Sequence, residues 1–272
     1  MRQFDVVVAG AGGMGTAAAA HVARRGARVL AVDRFPPGHA RGSSHGQSRL
    51  IRLAYFEQPD YVPLLWRARD LWRELERDTG TSLLTECGLL SCGPSAGSVI
   101  AGTLRSAHDH GLAIEPLTAR EAMGRWPAIT MPDDWTAVFE REAGHLAVEA
   151  CVRAHAAVAT AHGGLIEADH EIRGWRVEGD TVLVETSRET ISAGRLVLCP
   201  GPWASALLRL PAIPFTVLRK SLFWYAPSAG LATDAAASLP AFAFDTPRGF
   251  FYGFPMLDAR GLKLAEHSGG QV

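Results

Sequence analysis

Three observations along the chain predict an α/β protein. Phe4 to Asp33 reads as a strand–turn–helix–strand unit, β-rich runs crowd together around 175–191, and four strand-like runs follow Phe215. The first unit predicts a Rossmann-type dinucleotide-binding domain with a βαβ start. The crowded runs add a β-meander to it, and the later runs predict a second domain built on a mixed or antiparallel sheet.

The βαβ unit opens with Val6-Val7-Val8-Ala9, the apolar run of a buried parallel strand. It breaks into Gly10-Ala11-Gly12-Gly13-Met14-Gly15, a G-x-G-x-x-G turn. Gly10 permits the tight turn, Gly12 lets the backbone approach a pyrophosphate, and Gly15 lets helix and strand pack closely. The helix from Thr16 to Arg25, stopped by Gly26, aims its first N–H groups and its dipole at an anion. Val29 to Val32 then ends on Asp33, 18 positions after Gly15, where a carboxylate can accept hydrogen bonds from a ribose. Strand, turn, helix and acid all fall in place, so a dinucleotide is the expected ligand. Whether it is FAD or NAD the turn leaves open.

The 272 residues suit about two domains, and 47% hydrophobic with 20% charged residues can bury a sizeable core. A net charge of -1 without basic runs speaks against nucleic acid, and no apolar stretch has the length of a membrane helix. The strand beginning by Phe4 leaves no room for a signal peptide, so cytoplasm is the expected compartment. Cys87, Cys92, Cys151 and Cys199 match no zinc spacing; no metal is expected, and they read as reduced core thiols.

After Asp33, Arg34 to Ser48 is too rich in Pro, Gly, Ser and His for a regular element, and a loop of this length is usually functional. It carries His45, with Arg49 and Arg52 just beyond in an apolar run. Arginines in that setting suit an anion site as well as a solvated face. Asp60 is the expected cap of a helix to about Asp78, ended by Gly80. A strand at 86–92 and a helix at 98–110, closed by Gly111, follow, and Thr118 with Glu121 forms a capping box. Val148 to His162 is the next helix, stopped by Gly163-Gly164, then the meander runs at 175–177, 182–186 and 190–191. Arg195 to Cys199 reads as a further strand of the nucleotide sheet, and it leads into Pro200-Gly201-Pro202-Trp203, whose glycine can approach the cofactor. Runs at 217–225, 241–244, 249–254 and 261–267 complete the second sheet. In the last run Lys263 and His267 share one face, and Tyr252 has Phe250 and Phe254 on its side.

These residues resemble a known family. GAGGMG, GSSHGQSRLIRLAY at 42–55, YVPLLWRARDLW, RWPAI, CPGPW, FYGFP and the GLKLAEHSGGQV ending are similar to the monomeric sarcosine oxidase and N-methyl-L-tryptophan oxidase group. That group consists of FAD enzymes of the D-amino-acid-oxidase-like superfamily. Within it, LRKSLFWY and HSGGQV look closer to the N-methyltryptophan branch. The resemblance implies FAD held by Gly10, Gly12, Gly13, Met14, Gly15, Asp33, Arg34, Ser43, Ser44 and Gly201. It implies oxidation of an N-methyl amino acid by O2 to formaldehyde, the amino acid and H2O2, in a monomer. It places His45 and Arg49 against flavin and substrate, Arg52 on the substrate carboxylate, Tyr252 and His267 in the cavity wall, and Lys263 at the O2 reaction. The implied FAD domain is 1–85 with 141–213, and the substrate domain 86–140 with 214–272.

In one respect the chain departs from the group, whose members continue past Val272. None of the four cysteines here stands at the position that links covalently to flavin, and the chain is expected to be truncated, with weak FAD retention. Two other readings stand beside the amine oxidase: an NAD(P)-dependent dehydrogenase and a catalytically inactive dinucleotide-binding fragment.

Overall fold

The computed structural model describes residues 1–208, 213, 215–227 and 238–272. The chain forms two compact units, one of Met1–Gln47, Glu74–Leu83 and Ala147–Val217, the other of Ser48–Arg73, Leu84–Leu146 and Leu218–Val272. The boundaries differ from the expected ones at one large segment. Residues 48–73 group with the second unit, because Ser48–Ile51 is a strand of a three-stranded sheet with Gly144–Ala147 and Leu84–Thr85. Arg49 interrupts the apolar pattern there, so the run does not advertise a strand. The expected boundary at 213/214 touches residue 214, which lies outside the described residues.

The first unit is built on a six-stranded sheet in the order Ile172–Glu178, Thr181–Thr186, Thr190–Leu198, Gln3–Ala9, Val29–Val32, Leu165–Glu167. The last four strands are mutually parallel and the first three form the antiparallel meander. Val7, Leu30, Val32, Val184, Ile191 and Ala193 pack its core. Two runs expected as separate strands, 190–191 and 195–199, are one strand. Gly194, inside that strand, lets it run flush against its neighbour, since a Cβ there would come 3.1 Å from the Asp5 carbonyl oxygen.

The first helix, Gly13–Arg24, buries Ala19, Ala20 and Ala23, and it packs on Val148–Ala161, which buries Ala154, Val158 and Ala159. Gly26 and Gly163 follow them at φ +78° and +81°, the left-handed stops the sequence predicts. Between these helices His155 lies 6.5 Å from His21, ring centre to ring centre. Burial, helped by the charge of His21, pushes the His155 imidazole down to about 4. The unfolded chain therefore takes up this proton first as pH falls. The resulting stability is fully present above about pH 6.5 and is lost as pH falls through about 4. In urea unfolding, the wild-type protein is expected to lose up to roughly 3 kcal/mol more than His155→Leu over that window. Parallel losses in the two proteins would reject the assignment.

The second unit carries a seven-stranded mixed sheet: Leu222–Tyr225, Leu262–Glu266, Gly249–Phe254, Ala241–Thr246, Leu89–Pro94, Trp135–Glu140, Ile114–Thr118. All pairings are antiparallel except that of Ala241–Phe244 with Leu89–Cys92. One face packs Leu90, Cys92, Ala137, Phe139 and Phe242 onto the helix Ala119–Arg125. Thr118 and Glu121 form the predicted capping box of that helix. The other face carries Leu89, Ala241, Ala243 and Phe254 with Tyr252 beside them.

Two expectations in this unit need correction. Asp60 caps nothing: it lies within a one-turn 3-10 segment, Pro59–Tyr61, and accepts from Gln58 Nε2 at 2.8 Å. The strand expected at 86–92 is shifted to Leu89–Pro94. Glu86 is drawn aside by Arg69 and Arg73, at 2.6 and 2.8 Å, and Gly88 turns the chain at φ +79°. Among the described residues no helix is long and apolar enough to cross a membrane.

Candidate functional site

In the first unit the glycine turn, the end of the second strand and the 34–44 loop surround a cavity of about 630 Å³. That volume lies in the range of small-molecule and cofactor sites. Gly10, Gly12, Gly13, Met14, Asp33, Arg34, Ser43, Ser44 and Gly201 all line it, so nine of the ten residues expected to hold a cofactor are brought together. Gly15, the tenth, stands behind the wall.

The three fingerprint glycines answer to different constraints. Gly10 has φ +103°, and a Cβ on it would strike the Cys199 carbonyl. A Cβ on Gly15 would strike the carbonyl of Gly10 itself. Among the described residues, a Cβ on Gly12 would meet only Ser44 Oγ, at 3.9 Å, so that space stands open on the cavity side. The helix begins at Gly12 with no side-chain cap and no acid in its first turn. Its positive end is thus left to an anion. Ser44 Oγ accepts from the Gly13 N–H at 3.1 Å and ties the loop to the turn.

The Asp33 carboxylate accepts from the Ala11 N–H at 2.7 Å and the Phe35 N–H at 2.9 Å. One oxygen thus braces the glycine turn and the other its own loop, while further lone pairs face the cavity. Arg34 lies 5.8 Å over the Trp203 ring and 5.4 Å over Phe35, with its Nε 3.6 Å from Glu171. A flat aromatic and guanidinium surface of this kind suits a stacked heterocycle. His45 does not line the cavity. It sits half-buried beside Glu149, whose carboxylate accepts the N–H groups of Gly46 and Gln47 at 2.7 and 3.1 Å. These two residues have positive φ, 95° and 73°, so Glu149 holds a turn that glycine favours and glutamine does not.

In the second unit, the alternation along Leu262–Glu266 and its register against Gly249–Phe254 put Lys263, Phe254, Tyr252 and His267 on one face. Lys263 is 1% exposed, far from the solvated lysine that composition alone would favour. Its Nζ donates to the Ser48 carbonyl at 3.0 Å and the Ser48 hydroxyl at 3.1 Å, and lies 4.9 Å from the Phe254 ring centre. Tyr252 is half-buried and His267 exposed, with ring centres 6.4 Å apart. Burial pushes the Tyr252 phenol up, against the opposing charge of Arg49. Arg52 lies 4.5 Å over both Tyr55 and Phe56, and one of its terminal nitrogens reaches both Glu57 oxygens, at 2.6 and 2.8 Å.

Several residues that shape these places escaped the sequence reading. Glu140, 4% exposed, accepts the Leu53 N–H and, at 3.2 Å, the Ala54 N–H, which fixes the segment after Arg52. Burial pushes its carboxyl up despite those donors and Arg52. His145, 7% exposed, has Nδ1 3.6 Å from Cys87 Sγ, and burial, followed by the charge of Lys263, lowers its imidazole. Trp203 and His170 line the cavity. Only Trp203 had a local signal, in CPGPW; the others are defined by partners distant in sequence.

Residues 5–268 match the DAO family, described as FAD dependent oxidoreductase. The chain is 41% identical over 272 residues to a monomeric sarcosine oxidase of Streptomyces avermitilis, covering 99% of this chain and 71% of that protein. It is 35% identical over 270 residues to an N-methyl-L-tryptophan oxidase of Yersinia pestis, with 99% and 71% covered. Whole-chain identity is thus higher to the sarcosine oxidase, against the lean that LRKSLFWY and HSGGQV suggest. Among solved structures, it superposes on NikD, an unusual amino acid oxidase essential for nikkomycin biosynthesis, in its open form. The TM-score is 0.81 at 26% identity, covering all of this chain and 71% of that one. The cavity around the glycine turn, with Asp33 at the end of its second strand, fits the dinucleotide these relatives imply. The chain belongs to the DAO family of FAD dependent oxidoreductases.

Proposed function

We propose that the chain is an oxidase of secondary amines that demethylates an N-methyl amino acid of the sarcosine or N-methyl-L-tryptophan kind. The amine and O2, with water, give the free amino acid, formaldehyde and H2O2. The observation that carries this reading is Lys263, a cation buried at 1% exposure on the same sheet face as Tyr252. Nothing in the packing of an apolar sheet calls for it. Two-electron oxidation of the amine, with O2 as the final acceptor, is the chemistry that FAD would supply when bound.

The chain's own residues bind, orient and stabilise. The Gly10–Gly15 turn and helix start receive the pyrophosphate, and Asp33 the ribose hydroxyls. Arg34, Ser43, Ser44 and Gly201 close round the rest of the adenosine half. Arg52 receives the substrate carboxylate, exchanging Glu57 for it; Tyr252 and His267 line the substrate. For His45 and Arg49 the family resemblance implies a role toward the flavin. Lys263 holds a fixed positive charge where negative charge develops on oxygen.

The test is reconstitution with FAD, followed by a peroxide assay with sarcosine and N-methyl-L-tryptophan. A flavin spectrum with amine-dependent peroxide is expected. Flavin binding without peroxide would favour the inactive dinucleotide-binding alternative, and no flavin binding would reject the cofactor assignment. For Arg52→Ala, affinity for carboxylate-bearing amines is expected to fall about a hundredfold, as for loss of a charge-assisted pair. The same amines without the carboxylate should bind as before, and an unchanged carboxylate affinity would reject the anion site.

A further inference from the structure

His170 belongs to no expected site, yet it is fully buried, at 0% exposure, in the wall of the first unit's cavity. Its Nδ1 lies 2.8 Å from Glu167 Oε2 and its Nε2 2.8 Å from Thr186 Oγ1. Glu167 is also held by Arg2, at 2.7 and 3.2 Å, so it is an ionised carboxylate that can only accept, and Nδ1 must donate. The Thr186 hydroxyl lies 2.6 Å from the Glu189 carbonyl and accepts the N–H groups of Arg188 and Glu189 at 3.2 and 3.0 Å, so the same oxygen that meets Nε2 holds the turn at 186–189.

The main chain around this ring grips the residue expected at the ribose. The Asp33 N–H donates to the Glu167 carbonyl at 3.0 Å, and the His170 N–H to the Asp33 carbonyl at 2.9 Å. The next three residues, Glu171, Ile172 and Arg173, form cavity wall. Leu165–Glu167 is the edge strand of its sheet and only three residues long, so little besides this cluster fixes where it ends.

We propose that His170 is a positioning residue of the dinucleotide pocket, a fully buried ring that clamps the end of the Leu165–Glu167 strand to the Thr186 turn. It thereby holds Asp33 and the 171–173 wall at the spacing that the adenosine half of the cofactor needs. This rests on the dinucleotide reading of the cavity.

Titration of FAD and of ADP into wild type, His170→Phe and Thr186→Val tests the role. Both variants should bind both ligands about tenfold more weakly, the size of one lost charge-assisted hydrogen bond. A merely structural histidine would lower the melting temperature and leave both affinities unchanged, and that result would overturn the proposal. Wild-type protein that bound neither FAD nor ADP would instead reject the pocket reading on which it rests.

Discussion

Replacing Lys263 by methionine is expected to slow reoxidation of the reduced enzyme by O2 about a hundredfold or more, the range seen when one preorganised charge-stabilising donor is lost. Reduction by the amine should change far less, because no negative charge builds on oxygen in that half-reaction. The geometry supports a split of this kind. The ammonium donates to the carbonyl and hydroxyl of Ser48, which fix its position in the sheet face. His145 nearby adds no second cation, since burial and Lys263 itself keep its imidazole below the usual range. Methionine has a similar reach and fits an apolar slot beside Phe254, so the fold should persist. Stopped-flow traces of the two half-reactions decide the matter. Equal losses in both would remove Lys263 from the oxygen step and leave it a role in the integrity of the second unit.

What the sequence disclosed about this lysine, and what it hid, follows from the range of the forces involved. The alternation along 261–267 is local, so the shared face of Lys263 and His267 could be read directly. The depth of burial could not, because the acceptor is Ser48, on a strand 215 residues away. The same division runs through the molecule. The Thr118–Glu121 box and the glycine stops at 26, 111 and 163 are settled within one helical turn, and each stands where expected. Asp60 carries the chemistry of a cap, yet the chain placed it in a 3-10 turn, since proline at 59 already satisfies the start of that segment. Glu140 and His170 carry no local signal of their own in strand and loop. Their significance lies in the N–H groups of Leu53 and Ala54, and in Glu167 and Thr186, and no periodicity encodes such partners. Buried polar groups are where local patterning says least, because each must be satisfied by whatever the tertiary fold brings to it.

The glycine turn allows fold and ligand to be separated by two single methyl groups. Gly15→Ala would drive a Cβ into the carbonyl of Gly10, and both groups are backbone, so no rotamer change relieves the clash. The turn or the helix must shift, and a loss of about 3–5 kcal/mol is expected, the upper range for overpacking a tight backbone contact. Urea unfolding would read it. Gly12→Ala adds the same methyl three residues earlier, where the only atom near it among the described residues is Ser44 Oγ at 3.9 Å. Gly12 also has an ordinary φ of −77°, so alanine adopts its conformation without strain. Its stability should therefore match wild type within about 0.5 kcal/mol. Its affinity for FAD should fall about a hundredfold or more, because the methyl occupies the approach of a pyrophosphate to the helix start. If Gly12→Ala binds FAD as wild type does, the phosphates do not lie against this turn, and the cavity must be entered from the Trp203 side. If it unfolds as Gly15→Ala does, the space at Gly12 serves packing and not a ligand.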